Sequence, residues 1–177
     1  MKKANLLWVD LEMTGLDPQK DRIMEIAAIG TDWDLNQIFD YCATIKVDHD
    51  LANQRMTNDF WRKNKKLKKT LLLNNNQGRS INEVEKKLIN KISKHFNKKM
   101  PIYLAGNSIH QDRKFIEREM TKLNDKLHYR MLDVSSWKIV FKEKLGIEFK
   151  KTEVHRALED IKGSIEEFKV YLEKIKK

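Results

Sequence analysis

The sequence predicts an α/β domain in which helices cover a mixed sheet. Three observations carry this reading. The stretch from Asn5 to Val47 repeats strand-like apolar runs with short connections. The second half alternates strand runs with amphipathic helical stretches. The chain has 177 residues, enough for one domain with a real core and too few for two comfortable ones. Residues 1–177 are therefore read as a single domain. Strands that alternate with helices imply a mixed sheet with helices on its faces.

Asn5 to Met13 reads as the first strand and Ile23 to Trp33 as the second. "TGLDPQKD" between them is turn chemistry, with Gly15 and then Pro18 after Asp17. Phe39 to Val47 alternates, with Phe39, Tyr41, Ala43, Ile45 and Val47 on one face, as a half-buried strand does. Three consecutive strands with short links make an antiparallel meander. Met56 to Leu73 reads as one helix carrying the basic run "RKNKKLKK", and Asn74 to Gly78 as a loop. Ser80 and Glu83 form a capping box before a stripe of Ile81, Val84, Leu88, Ile92 and Phe96. "IYLAGN" is a strand running into a turn. Ser108 and Gln111 read as a second capping box, before the stripe Phe115, Ile116, Met120 and Leu123. "YRMLDV" is a short strand, followed by a helix from Ser135 to Leu145 that Gly146 stops. The last helix runs from His155 to the end, striped by Ala157, Ile161, Ile165, Phe168, Leu172 and Ile175.

Composition narrows the function classes. Net charge is +10, which favours an anionic partner, nucleic acid first. Lysine is abundant throughout, so a general compositional bias is an equal explanation. The single cysteine, Cys42, can form neither an internal disulfide nor a cysteine-based zinc site, which fits a reducing compartment. The apolar run after "MKKAN" lasts only from Leu6 to Val9, too short for a signal peptide, and no segment approaches a membrane span. The expectation is a cytoplasmic protein with no membrane partner.

The acidic residues carry the chemistry. Asp10 and Glu12 interrupt an apolar strand, and their spacing puts both on one face, about 7 Å apart along the strand. Asp112 lies early in a mid-chain helix and Asp160 near the start of the last one. Phosphoryl transfer by two divalent metals needs such carboxylates, and Mg²⁺ or Mn²⁺ suits their hard oxygens. His155 fits a general base. Five residues of helix turn through about 140°, so His155 and Asp160 converge only if His155 precedes the helix. Each residue alone has an ordinary explanation. Asp10 suits a solvated strand edge, Asp112 a helix N-terminus, Asp160 a helix surface. Their joint spacing favours a site.

D-x-E on the first strand, a mid-chain Asp and H-x4-D near the end resemble the DEDDh 3′→5′ exonuclease family. "DLEMTGLDP", "DRIMEIA", "GNSIHQDR", "HYRMLDVSS" and "HRALEDI" closely resemble its oligoribonuclease branch, over the whole chain and in order. The resemblance implies an RNase H-like fold with a mixed five-stranded sheet. It implies two Mg²⁺ or Mn²⁺ ions on Asp10, Glu12, Asp112 and Asp160, with His155 as general base. It implies release of 5′-mononucleotides from the 3′ end of very short RNA oligonucleotides, dinucleotides preferred, by a homodimer. Leu16 would then wedge at the bases and Trp61 stack on one. Ser108, Arg130, Ser135 and Ser136 would cap the substrate's 5′-phosphate, and Tyr129 would approach the partner subunit's reaction centre. One departure stands out: the family's "W-x-x-x-x-H-T" reads "WRKNKKLKKT" here, with Lys66 in place of the His. Two other readings share these residues: a related exonuclease acting mainly on single-stranded DNA, and a catalytically silent nucleic-acid-binding module.

Overall fold

The computed structural model describes residues 3–149 and 157–175. The chain forms β1 (Leu6–Met13), β2 (Ile23–Thr31) and β3 (Gln37–Thr44), then α1 (His49–Arg55), α2 (Asp59–Lys63), α3 (Lys65–Asn75) and α4 (Ile81–His95). It continues through β4 (Ile102–Gly106), α5 (His110–Glu119), α6 (Thr121–Asn124), β5 (Leu127–Asp133), α7 (Val134–Leu145) and α8 (Ala157–Ile175). The five strands lie in the order β3-β2-β1-β4-β5. β1 to β3 form the expected antiparallel meander, and β4 and β5 add on in parallel. The strand with two carboxylates is thus the centre of the sheet and not an edge.

Strand alternation divides β1 between two cores. Leu7, Val9 and Leu11 pack on one face with Val84 and Leu88 of α4 and Phe115 and Ile116 of α5. Leu6 and Trp8 face the other way, with Ala27 and Ile29 of β2, Phe141 of α7, and Ile161 and Phe168 of α8. Burying each larger side chain stabilises the fold by about 1.5–3 kcal/mol. The Trp8 indole N–H, which burial would otherwise leave unsatisfied, donates to Thr31 Oγ1 at 3.0 Å. By the same alternation Asp10 and Glu12 share the Trp8 face, on the side covered by α8.

Two details position the site. β1 pairs with β2 along its whole length but with β4 only from Leu6 to Trp8. Beyond that point the sheet opens into a fork. A Cβ on Gly106, the last residue of β4, would meet the Val9 carbonyl oxygen at 3.0 Å, tighter than ordinary contact, so glycine eases this close approach. The second detail is the Ser80–Glu83 capping box, which forms as expected, each residue serving the other's backbone N–H.

Two expectations are corrected. The stretch from Met56 to Leu73 is not one helix. Asn58 accepts from the Trp61 amide to start α2, and Asn64 closes it with its own N–H on the Phe60 carbonyl. Asn58 diverts the Trp61 amide from a helical partner, and Asn64 leaves the helical backbone region at φ −103°, ψ 47°. Nor do Ser108 and Gln111 form a capping box: α5 starts at His110 without a side-chain cap. Ser108 instead adopts a left-handed backbone, φ 48°, rare for a residue with a Cβ.

Candidate active site

The fork gathers acidic groups from both helical layers. Asp10 and Glu12 rise from β1. Asp112 comes from α5 on one side of the sheet and Asp160 from α8 on the other. Where β4 no longer pairs with β1, Asp112 takes its place: Oδ1 accepts from the Leu11 amide at 3.0 Å. Glu25, which the sequence reading did not single out, lies directly opposite Glu12 in the β1–β2 ladder. Like charges in that relation repel. The signal that could have found Glu25 is the hairpin register, which periodicity alone does not fix.

The consequence is electrostatic. The Glu12 carboxyl is pushed up to about 7, first by burial, then by the charges of Glu25, Asp160 and Asp112. Asp112 is also pushed up to about 7, chiefly by burial, which outweighs the hydrogen bond from the Leu11 amide. An all-oxygen, desolvated cluster with surplus negative charge suits a hard divalent cation. Among the described residues, no three His, Cys, Asp or Glu side chains are yet gathered closely enough to hold one. His155, the expected general base, lies outside the described residues.

A different arrangement holds the turn after β1. Asp21 is buried and accepts from Thr14 Oγ1 at 3.0 Å, the Asp17 amide at 2.9 Å and Arg55 Nε at 2.8 Å. Burial alone would raise its pKa, but these donors and the Arg55 charge prevail and lower it. Gly15 is required here, because a Cβ would fall 2.5 Å from Asp21 Oδ2. The turn presents Leu16, which is 68% exposed. Gln111 Nε2 donates to the Leu16 carbonyl at 2.7 Å, tying the turn to α5. Trp61 donates from Nε1 to the Thr14 carbonyl at 2.9 Å and is only 3% exposed. It belongs to a third core cluster with Met24, Met56 and Leu71. Phe60, edge-on to it at 4.9 Å, is the ring that meets solvent.

Ser108 and Ser135 are brought together. The Ser108 amide donates to Ser135 Oγ at 2.8 Å and to Asp133 Oδ1 at 3.0 Å, and the two hydroxyls lie 3.1 Å apart. Asp133 also caps α7 by accepting from the Ser135 amide. Arg130 and Tyr129 lie together on edge strand β5, the guanidinium 5.1 Å from the ring centroid, with Tyr129 70% exposed. Ser136 is exposed on α7, and Lys66 is exposed at the start of α3.

The exonuclease family profile matches residues 7–168. An oligoribonuclease from Shewanella loihica is 36% identical over 179 residues, covering 98% of this chain and 96% of the relative. The chain belongs to the oligoribonuclease family. It is a nuclease, a hydrolase acting on phosphodiester bonds. The Chromobacterium violaceum oligoribonuclease is 39% identical over 173 residues, covering 96% of this chain and 94% of that one. Among solved structures, exonuclease I from Methylocaldum szegediense superimposes with a TM-score of 0.63 at 18% identity, covering 91% of this chain and 38% of its own. A zinc-bound complex of Escherichia coli exonuclease I with single-stranded DNA gives 0.64 at 13% identity, covering 98% and 41%. The chain spans about two fifths of those longer proteins, and the likeness is one of fold. Among the described residues no helix is long and apolar enough to cross a membrane.

Proposed function

We propose that the protein removes 5′-mononucleotides from the 3′ end of very short RNAs, dinucleotides preferred, using two divalent ions. The observation that carries this reading is the acidic fork, where Asp160 and Asp112, from opposite faces of the sheet, both push the Glu12 carboxyl up. Asp10, Glu12, Asp112 and Asp160 would hold Mg²⁺ or Mn²⁺. Bound there, such ions lower the pKa of a water and stabilise the leaving 3′ oxygen. His155 takes the proton from the attacking water. The water oxygen forms the new bond to phosphorus, and the bond from phosphorus to the 3′ oxygen breaks. Leu16 stands between the bases. Trp61 supports it from beneath through the Thr14 carbonyl, and base contact from Trp61 is confined to the little of the ring that is exposed.

Ser108, Ser135 and Arg130 hold the substrate's 5′-phosphate, with Ser136 beside them. Hydroxyl and guanidinium donors at a closed end would reward a terminal phosphate and reject longer chains. Tyr129 reaches a partner's reaction centre from its exposed place on β5, so the homodimer is the active form, with residues 1–177 as one exonuclease unit in the cytoplasm. Lys66 replaces the family's His as a point charge toward phosphate.

The test is single-turnover cleavage of 5′-phosphorylated RNAs two to seven nucleotides long, with Mg²⁺ or Mn²⁺. The expected outcome is a sharp fall in rate beyond dinucleotides. Faster cleavage of long single-stranded DNA would make it a DNA exonuclease, and binding without metal-dependent turnover a silent module.

A further inference from the structure

Behind the two serines lies a buried carboxylate that the reaction does not use. Glu167 of α8 is 0% exposed. Its Oε1 accepts from Tyr171 OH at 2.7 Å, and Lys138 Nζ approaches to 4.0 Å. Its Oε2 accepts from Asn107 Nδ2 at 3.2 Å. The same Nδ2 donates to Ser164 Oγ at 2.9 Å, while Ser164 gives its own hydroxyl proton to the Asp160 carbonyl at 2.9 Å. Asn107 Oδ1 therefore points the other way, where Ser135 Oγ donates to it at 3.3 Å.

These contacts fix the direction of every proton in the chain. Glu167 accepts from both Tyr171 and Asn107, so the amide turns its NH₂ toward Glu167 and its oxygen toward Ser135. Ser164 demands the same orientation, because its one proton is already placed. Ser135 then spends its proton on Asn107, which leaves Ser108 as donor in the Ser108–Ser135 hydroxyl pair. A ligand that takes over the Ser108 proton must be an acceptor. An anionic phosphate oxygen meets that requirement better than a hydroxyl, since charged acceptors make the stronger bonds.

We propose that Glu167 is a positioning residue that orients the Asn107 amide, and so makes the Ser108–Ser135 pair selective for a 5′-phosphate. This rests on the reading of Ser108 and Ser135 as the phosphate-holding pair. The same chain ends on the Asp160 carbonyl, so it ties the phosphate end of the groove to the helix that carries an acidic group of the fork.

The experiment compares kcat and KM for dinucleotides bearing a 5′-phosphate or a 5′-hydroxyl. Glu167→Gln removes the carboxylate that joins Ser164 in holding the amide, and the kcat/KM preference for the phosphorylated substrate falls about tenfold, through KM, the size of one lost hydrogen-bond partner. Glu167→Gln combined with Asn107→Asp reverses the pair. The Gln NH₂ then donates to one Asp oxygen while the other accepts from Ser135, Ser164 turns its hydroxyl proton from the Asp160 carbonyl to the new carboxylate, and the preference returns. A purely structural Glu167 would lower the melting temperature and both substrates alike, with no rescue, and that result overturns the proposal. Should Glu167→Gln not fold, Ser164→Ala removes the second acceptor of the amide, together with the hydroxyl's bond to the Asp160 carbonyl, and lowers the same ratio less; an unchanged ratio there also overturns it. Ser108→Ala separates the two readings. If it abolishes the preference while Glu167→Gln leaves it intact, only the positioning role fails. If Ser108→Ala leaves it intact, the phosphate pair itself is wrong.

Discussion

Glu12 and Asp21 are carboxylates nine residues apart in the chain, at the two ends of one turn, and the protein treats them in opposite ways. Asp21 is met by a hydroxyl, an amide and a guanidinium, and its pKa is lowered. Glu12 is met by burial and by Glu25, Asp160 and Asp112, and its pKa rises to about 7. A carboxylate supplied with donors is finished structure. One supplied with like charges is incomplete until a cation arrives.

The largest effect is expected at the incomplete end. Asp160→Ala should lower kcat/KM on a 5′-phosphorylated dinucleotide by more than about a hundredfold, since even outer partners of metal ligands are worth 10–100-fold. Its melting temperature should hold, which a steady-state assay beside a thermal scan checks. At the finished end the pattern inverts. Asp21→Ala leaves buried donors without an acceptor and should cost about 1–3 kcal/mol of stability, read by urea unfolding. Equal stability of variant and parent would show that the turn does not depend on this carboxylate.

Next in size is the response to metal. Mg²⁺ at ten times its Kd should add about 1.4 kcal/mol by mass action, visible as a rise in melting temperature. Glu12→Gln should reduce that rise.

The pH responses come last, and their signs differ. Asp21 has a folded pKa below its unfolded value of about 3.9. Its stabilisation is present above that value and is lost as pH falls through the lowered one. Glu12 has a folded pKa of about 7, above an unfolded value of about 4.3. In chelator, its share of stability is full at low pH and declines as pH rises between those two values. Thermal scans from pH 3 to 8 should show a shallower decline in Glu12→Gln and a weaker acid loss in Asp21→Asn.

Much of this was legible in the sequence, for identifiable reasons. A period of two put Asp10 and Glu12 on one face, and a helical stripe from Ala157 to Phe168 buried the inner face of α8 beside them. What stayed hidden depends on register and partners. Glu25 matters because the hairpin sets it against Glu12. Asn58 and Asn64 look like ordinary polar residues in a helical run until the Asn58 cap and the Asn64 backbone break it. Ser108 and Gln111 have capping-box spacing, yet the left-handed Ser108 spends its amide on Asp133 and Ser135 instead. By motif Trp61 matches a base-stacking ring, with a buried core Trp as the alternative, and its indole closes on the Thr14 carbonyl in the core. Asn107 and Glu167 carry no motif that periodicity would notice, since their importance lies in a contact 60 residues apart.

The bond from Leu11 to Asp112 gives the site a built-in gauge. A backbone amide that should belong to a sheet ladder is protected instead by a side chain of the acidic fork. Its exchange with solvent deuterium and its proton chemical shift therefore report the posture of that carboxylate directly. One resonance in the middle of the central strand would register every ion or substrate that turns Asp112, before any product is made.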